Sequence, residues 1–390
     1  MTNKNLAFVL SLLVLPIIKM TFVQCLSAGT NNKKNNNAQQ QQQRQRPSLY
    51  YDDFVKDLPS LKGKTIVITG TSRGLGYVTA LTVVRKGGRA ILFNRPSAAS
   101  LESYHQLCEE ATGLSPINID CNLLSFDSVR QACQQVCKML TREKEEEEKD
   151  SSNADGDGDG GVGIDCLCLN AGIMMANDEA SMEGYDITAQ TNMLSQFLIT
   201  KELFGELKKA AADPAKDEAA PSSRIVIMSS GSAYGESCLN PIFFQRQGGN
   251  MGGSKASYER YHQTKLANLL FCCSLQDKLE EARKQNNNNN ILAVACTPGV
   301  CGTDMFVHAT TVMFGQPSPR SDVPSVEDGS RAQLKCIFDP TVQSGDFWGP
   351  DRDGRLKKTL MEANPQLFVS DKSKQELWNV CEEAVGNFDI

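Results

Sequence analysis

The sequence predicts an α/β fold: a doubly wound parallel sheet with helices on both faces, built as a single domain. Three observations carry this. From Leu58 onward, short apolar runs alternate with longer amphipathic stretches. The first run passes directly into a glycine-rich turn, Thr69-Gly70-Thr71-Ser72-Arg73-Gly74-Leu75-Gly76. Polar and ionisable residues gather behind the later runs, where such a sheet has its carboxyl edge and binds its ligands.

In chain order, Thr65 to Thr69 reads as the first strand and Gly74 to Arg85 as the first helix. Ala90 to Phe93 and Pro116 to Asp120 are the next strands, followed by a helix over Ser125 to Leu140. Ile164 to Leu169 is a strand, Met193 to Lys208 a helix, and Arg224 to Met228 a strand. A helix over Tyr261 to Lys278 and a strand over Ile291 to Cys296 complete the pattern. Strands separated by helical stretches of this length require right-handed crossovers and a parallel sheet. Four stretches read as surface insertions: 143–163, 210–222, 236–257 and 286–290. Added length between elements costs little there.

The amino terminus is a different material. The first acidic residue is Asp52. Leu6 to Ile18 is apolar apart from Ser11 and Pro16, with Lys4 before it and Val23-Gln24-Cys25 after it as a cleavage site. Residues 1–25 therefore read as a signal-like segment, too short for a comfortable membrane span. Residues 26–57, rich in Asn and Gln, read as a disordered targeting or linker segment, leaving 58–390 as the folded domain. An entry signal followed by an acid-free basic tail suits two-step targeting to a plastid. The alternatives are an uncleaved signal ending in the endoplasmic reticulum, or a short anchor that associates the protein with a membrane.

The formal net charge is −6, and the Glu143 to Asp159 stretch alone, with nine acidic and two basic residues, accounts for it. No basic surface is implied, so nucleic acid is not an expected partner. The 14 cysteines show no framework spacing, and several sit in apolar runs, as buried free thiols do in a reducing compartment. The three histidines form no ligand cluster with them, so no metal is expected. Asp155-Gly-Asp157-Gly-Asp159 opens like a calcium loop, but its twelfth position is Cys166, inside a strand.

Glycines between a strand and a helix let the backbone approach a pyrophosphate, while the helix N-terminus offers unpaired N–H groups. A tight turn also needs glycine; the strand–turn–helix context favours a Rossmann-type dinucleotide site over Gly70, Ser72, Arg73, Gly74, Leu75 and Gly76. The second strand ends in Phe93-Asn94-Arg95, without the acidic residue that would bind both adenosine-ribose hydroxyls of NAD. Arg95 and Arg73 suit a 2′-phosphate instead, which makes NADP(H) the expected cofactor.

Tyrosine, with an ordinary pKa of about 10, needs help to exchange protons near neutrality, and a neighbouring ammonium provides it. Of the eight tyrosines, Tyr261 alone has a lysine four residues on, Lys265, on the same helical face. By itself the pair also suits an ordinary surface contact. Its setting strengthens it: Ser229 and Ser230 end one strand, Asn170-Ala171-Gly172 another, Pro298-Gly299 and Thr303 a third, and Asn192 lies early in a helix.

Thr69 to Gly76, Asn170-Ala171-Gly172, Asn192, Ser230, Tyr261 with Lys265, and Pro298-Gly299 stand in the order of the short-chain dehydrogenase/reductase family, which the chain resembles from Leu61 to Gly386. The resemblance implies that Tyr261 is the general acid/base and that Lys265 lowers its pKa and binds the nicotinamide ribose. It implies that Ser230, ahead of Ser229, holds the substrate oxygen, and that Asn192 positions a relay water. Asn94, Asn122, Asn170, Ala171, Gly172, Pro298, Gly299 and Thr303 would line the cofactor. Lys265 to Phe271 and Leu377 to Gly386 are similar to the retinol dehydrogenase and protochlorophyllide reductase branch. Four features depart from the family: Leu169 opens the Asn-Ala-Gly motif, Asn122 stands at the acidic position that contacts adenine with Asp120 two residues earlier, Ser230 and Tyr261 are far apart, and Val300 stands where the pigment reductases carry cysteine.

The expected function is hydride transfer between nicotinamide and a carbonyl or alcohol carbon. The segment from Asp304 to Arg331, with Met305, Phe306, Val312, Met313 and Phe314, is expected to cover a lipophilic small molecule. The rivals are a non-catalytic NADP(H)-binding regulator or scaffold, and a reductase of a pigment-ring double bond. Homo-oligomerisation is left open.

Overall fold

Side chains alternate between the two faces of the sheet and sort its core. Ile66, Ile68, Leu92, Val226 and Val294 pack on one face, and Val67, Ile91, Leu167, Ile225 and Ala293 on the other, as a period of two requires. The computed structural model describes residues 45–150, 163–212, 223–235, 238–285, 290–358 and 370–390. The signal-like segment 1–25, and most of 26–57, 210–222 and 286–290, lie outside the described residues.

The elements are α1 (Tyr51–Lys56), β1 (Thr65–Thr69), α2 (Gly74–Arg85), β2 (Arg89–Asn94), α3 (Ala98–Glu110), β3 (Ile117–Asp120), α4 (Phe126–Asp150) and β4 (Cys166–Leu169). A short helical turn, Ile187–Ala189, and a π-helical turn, Gln190–Leu194, lead into α5 (Ser195–Ala211). Then follow β5 (Ser223–Met228), α6 (Ser257–Lys284), β6 (Ile291–Cys296), α7 (Asp304–Phe314), α8 (Val326–Phe338), β7 (Phe347–Pro350), β8 (Leu356–Lys358) and α9 (Asp371–Val385). The sheet order is β3-β2-β1-β4-β5-β6-β7-β8. All neighbours are parallel except β7 and β8, which pair antiparallel. The order of strands switches sides at β1, with β2 on one flank and β4 on the other, which opens a crevice at the carboxyl ends of β1 and β4.

Two expectations need correcting. The helix expected to stop at Leu140 continues to Asp150. Its Glu and Lys residues are good helix formers, and Glu143 is held at 2.7 Å by Arg89 at the start of β2. The second correction concerns the linker. Residues 48–57, expected to be disordered, form a strap that ends in α1. The carboxylate of Asp328, on α8, accepts the backbone N–H groups of Leu49 (2.8 Å), Tyr50 (3.0 Å) and Tyr51 (3.1 Å). The Tyr51 hydroxyl bonds Thr82 of α2 at 2.7 Å, and the Tyr50 ring faces the Arg331 guanidinium. One buried carboxylate organises the backbone of this segment, and Tyr51, Phe54 and Val55 pack on the core beside it.

Candidate active site

The glycine turn has the geometry of a cradle. Gly70 (φ +74°) and Gly74 (φ +62°) occupy the left-handed region, where other residues are strained. At Gly76 a Cβ would meet the Gly70 carbonyl oxygen at 2.1 Å and Asn170 Nδ2 at 2.6 Å, so only glycine fits there. Arg73, the residue before α2, makes no side-chain cap to it, which leaves the first N–H groups of the helix to a ligand. Ser72 and Leu75 are partly exposed in the same turn.

Asparagines hold this turn. Asn170 donates from Nδ2 to the carbonyls of Thr69 (2.9 Å) and Gly70 (3.2 Å), and Thr69 Oγ1 accepts the N–H groups of Asn170 and Ala171. Asn94 is buried: its Oδ1 accepts Thr71 N–H at 2.7 Å, and its Nδ2 donates to Thr71 Oγ1 and Asn118 Oδ1. Asn94, expected to line the cofactor, uses its amide to shape the loop. Asn122 likewise closes its own turn by accepting Leu124 N–H at 3.2 Å. Arg95 is exposed beside β2. Arg73 lies 3.0 Å from Asp304 at the start of α7.

Tyr261 and Lys265 come together as their spacing requires, both buried on α6, with Lys265 Nζ 5.7 Å from the Tyr261 ring centre. Burial pushes the Tyr261 phenol up to about 12, against a downward pull from the neighbouring hydroxyls of Ser230 and Ser232. Burial pushes Lys265 down to about 8. Its amine donates to the Met228 carbonyl at 3.0 Å, an oxygen that also accepts Asn268 Nδ2 at 2.8 Å. Burial therefore leaves the phenol protonated at neutral pH and brings the amine close to losing its proton.

The end of β5 separates its serines. Ser229 donates to the Lys265 carbonyl at 2.8 Å, while Ser230 is half-exposed beside Tyr261. This supports the choice of Ser230. Ser232, which the sequence reading passed over, also lies beside Tyr261; its proximity to the Ser229-Ser230 pair was the available signal. Asn192 is fully buried in the π-helical turn, a distortion frequent at functional sites. Its amide joins the Ile173 N–H (2.8 Å), the Ile173 carbonyl (2.9 Å) and Thr264 Oγ1 (3.0 Å). The side chain therefore ties the Gly172 loop to α6, with one acceptor site of Oδ1 not engaged by these bonds.

The β6 end places Gly299 (φ +66°) against Pro350, whose Cγ would lie 2.8 Å from a Cβ there. Thr303 caps α7 by accepting Phe306 N–H and packs near Gly74. Cys301 is buried beside Gly329 and Leu75. Met175 (φ +57°) is the one non-glycine residue at positive φ among the described residues, and its carbonyl meets His308 Nε2 of α7 at 3.3 Å.

A short chain dehydrogenase model matches residues 64–143, the glycine turn and the strands and helices around it. Retinol dehydrogenase 14 of Mus musculus is 26% identical over 345 residues, covering 84% of this chain and 87% of its own. An uncharacterized oxidoreductase of Schizosaccharomyces pombe is 29% identical over 256 residues, 65% of each chain. The match and these relatives support the resemblance to the short-chain dehydrogenase/reductase family. Within that family its likeness is to the retinol dehydrogenase-like branch. Among solved structures, an uncharacterized protein from Mycobacterium paratuberculosis shares the fold with a TM-score of 0.58 at 23% identity, over 86% of this chain and 98% of that one. The E. coli oxidoreductase yciK does so with a TM-score of 0.50 at 18% identity, over 75% and 96%. The matched region includes the glycine turn behind β1, while Ser230, Tyr261 and Lys265 lie beyond it in the chain.

Proposed function

We propose that this protein is a short-chain dehydrogenase that uses NADP(H) to interconvert a lipophilic carbonyl compound and its alcohol, with Tyr261 as acid/base, Ser230 as the oxygen-holding group and Lys265 as their electrostatic partner. The observation that carries the reading is the convergence of a buried Tyr–Lys pair on α6 with Ser230 from β5, behind a glycine cradle that a single Cβ would fill. The uncapped N-terminus of α2 and the left-handed glycines fit a pyrophosphate.

Bound NADPH supplies the hydride. The phenol of Tyr261, protonated at neutral pH because burial raises its pKa to about 12, gives the proton to the carbonyl oxygen. Ser230 donates a hydrogen bond to that oxygen as negative charge develops on it. Lys265, fixed by the Met228 carbonyl, is charged below a pKa of about 8 and favours the phenolate that the proton transfer leaves behind. The same groups serve oxidation in reverse.

The preference for NADP(H) is supported by Asn94-Arg95 at the end of β2, where NAD enzymes carry an acid, and by exposed Arg73 in the turn. Fluorescence titration with NADPH and NADH tests it: Arg95→Ala and Arg73→Ala should each weaken NADPH binding and leave NADH binding little changed. A lipophilic substrate is supported by Tyr258, stacked on Tyr261, and by the exposed apolar side chains Val312, Met313 and Phe314 of α7.

The function is tested by NADPH consumption with a panel of aldehydes, ketones and quinones. Turnover of an apolar carbonyl is the expected result. Tight NADPH binding with no turnover of any member would favour a scaffold instead.

A further inference from the structure

The long stretch between Ser230 and Tyr261 is not a loose insertion. Its described part, 238–256, folds back on the 174–186 segment that follows the Asn-Ala-Gly motif. Tyr185 pairs with Arg246 in an isolated antiparallel bridge, and the Arg246 guanidinium lies over the Tyr185 ring at 5.4 Å. The carboxylate of Asp178 accepts the N–H groups of Met251 (3.0 Å) and Gly253 (2.6 Å). Gly252 (φ +90°) and Gly253 (φ +66°) make the turn that presents them.

Arg260 closes the structure from inside. Only 1% of it is exposed, and its guanidinium donates to the carbonyls of Met251 (3.1 Å), Gly253 (2.8 Å) and Ala176 (3.0 Å). Its Nε faces Asp186 at 3.1 Å, the residue whose other oxygen caps the helical turn leading to Asn192. A buried arginine that serves two loops and an ion pair is strongly over-determined for simple packing, since truncating it strands three carbonyls and a carboxylate. Arg260 immediately precedes Tyr261 on α6. Ala176, which it holds, follows Met175, whose left-handed backbone offers its carbonyl to His308 of α7 and whose sulfur meets Ser257. Tyr258 stacks on Tyr261 with ring centres 6.4 Å apart at the same mouth.

We propose that Arg260 is a positioning residue which, with Asp178, locks 238–256 and the Met175 loop into a rigid wall of the substrate cleft, so that the carbonyl of the substrate is pressed toward Tyr261. The wall rests on reading Tyr261 as the proton donor, but its rigidity does not. Positioning of this kind acts on productive substrate binding and leaves the cofactor cradle and the proton donor as they are.

The test uses the full chain, with Arg260→Met, Arg260→Lys and Asp178→Ala, and has two arms. The first is limited trypsinolysis at Arg246 and Lys255, both exposed side chains on the wall. Cleavage should accelerate about tenfold in Arg260→Met and Asp178→Ala as local opening is released. The second is steady-state kinetics with an apolar ketone. KM should rise about tenfold in Arg260→Met and Asp178→Ala with kcat changed by less than about threefold. Arg260→Lys should recover part of the loss, and the NADPH Kd should stay at its wild-type value. Asp178→Ala leaves the buried ion pair intact and decides the matter if Arg260→Met does not fold. Unchanged cleavage and KM in Asp178→Ala would overturn the proposal, as would a fall in kcat at constant KM. If no carbonyl is turned over by the wild type, the functional reading fails and the trypsin arm still decides whether the wall is locked.

Discussion

Replacing Lys265 by methionine should make the protein more stable while removing its activity. The amine is buried, and burial moves its pKa from 10.5 to about 8, which corresponds to a folded-state penalty of about 3 kcal/mol at neutral pH. Methionine keeps much of the side-chain volume and carries no charge. The substitution loses the 3.0 Å bond to the Met228 carbonyl, a loss of about 1 kcal/mol, but Asn268 still satisfies that oxygen. The net expectation is a gain of about 2 kcal/mol at pH 7. The pH dependence gives the sharper signature. Below about pH 8 the amine is protonated in both folded and unfolded chains, so the wild type bears the full penalty. Between about 8 and 10.5 the folded chain releases its proton first, the unfolded chain holds more protons, and wild-type stability rises with pH. Lys265→Met lacks that rise, so its advantage should shrink by about 1.4 kcal/mol for each pH unit in the window. Urea unfolding of both proteins at pH 7 and 9.5 measures it. A variant that is no more stable at pH 7, or an advantage that does not shrink, would refute the reasoning.

Three further outcomes follow from the geometry. Gly76→Ala puts a methyl 2.1 Å from the Gly70 carbonyl and 2.6 Å from Asn170 Nδ2, so the turn must shift; NADPH affinity should fall at least about tenfold, with about 2 kcal/mol or more of stability lost in thermal unfolding. Because Tyr261 is raised to about 12, it is a phenol across the neutral range. Carbonyl reduction should therefore be insensitive to this group between about pH 6 and 8, whereas alcohol oxidation, which needs the phenolate, should climb with pH, as rate profiles in both directions will show. Asp328→Ala leaves three backbone N–H groups of the 48–57 strap without their acceptor. It should cost about 2 kcal/mol in a denaturant titration and expose the strap to proteolysis.

The parts of the fold that local chemistry dictates were readable in advance. β1, α2 and β6 fall where the apolar runs and the glycine turn put them, and Tyr261 meets Lys265 because one helical turn brings them together. What escaped the reading depends on partners far away in the chain. The 48–57 strap looked disordered because its order comes from Asp328, 277 residues from Tyr51. Arg260 carries no local signal in the sequence, since its pairing with Asp186 and three loop carbonyls is a property of the folded loops. Asn94, Asn122 and Asn192 stand at the edge of the sheet where the sequence expects cofactor-lining and water-positioning residues, and the loop-shaping bonds their amides also make come only with the folded chain. The burial that raises the Tyr261 pKa is likewise set by the packed core, whereas spacing along the helix shows only which charges are neighbours.

The most direct test compares wild type with Tyr261→Phe, which removes one oxygen from a buried ring. NADPH binding followed by fluorescence should be unchanged, and consumption of NADPH with an accepted carbonyl should drop by about a thousandfold or more. A phenylalanine variant that turns over at a rate near wild type would contradict the claim that this phenol is the proton donor.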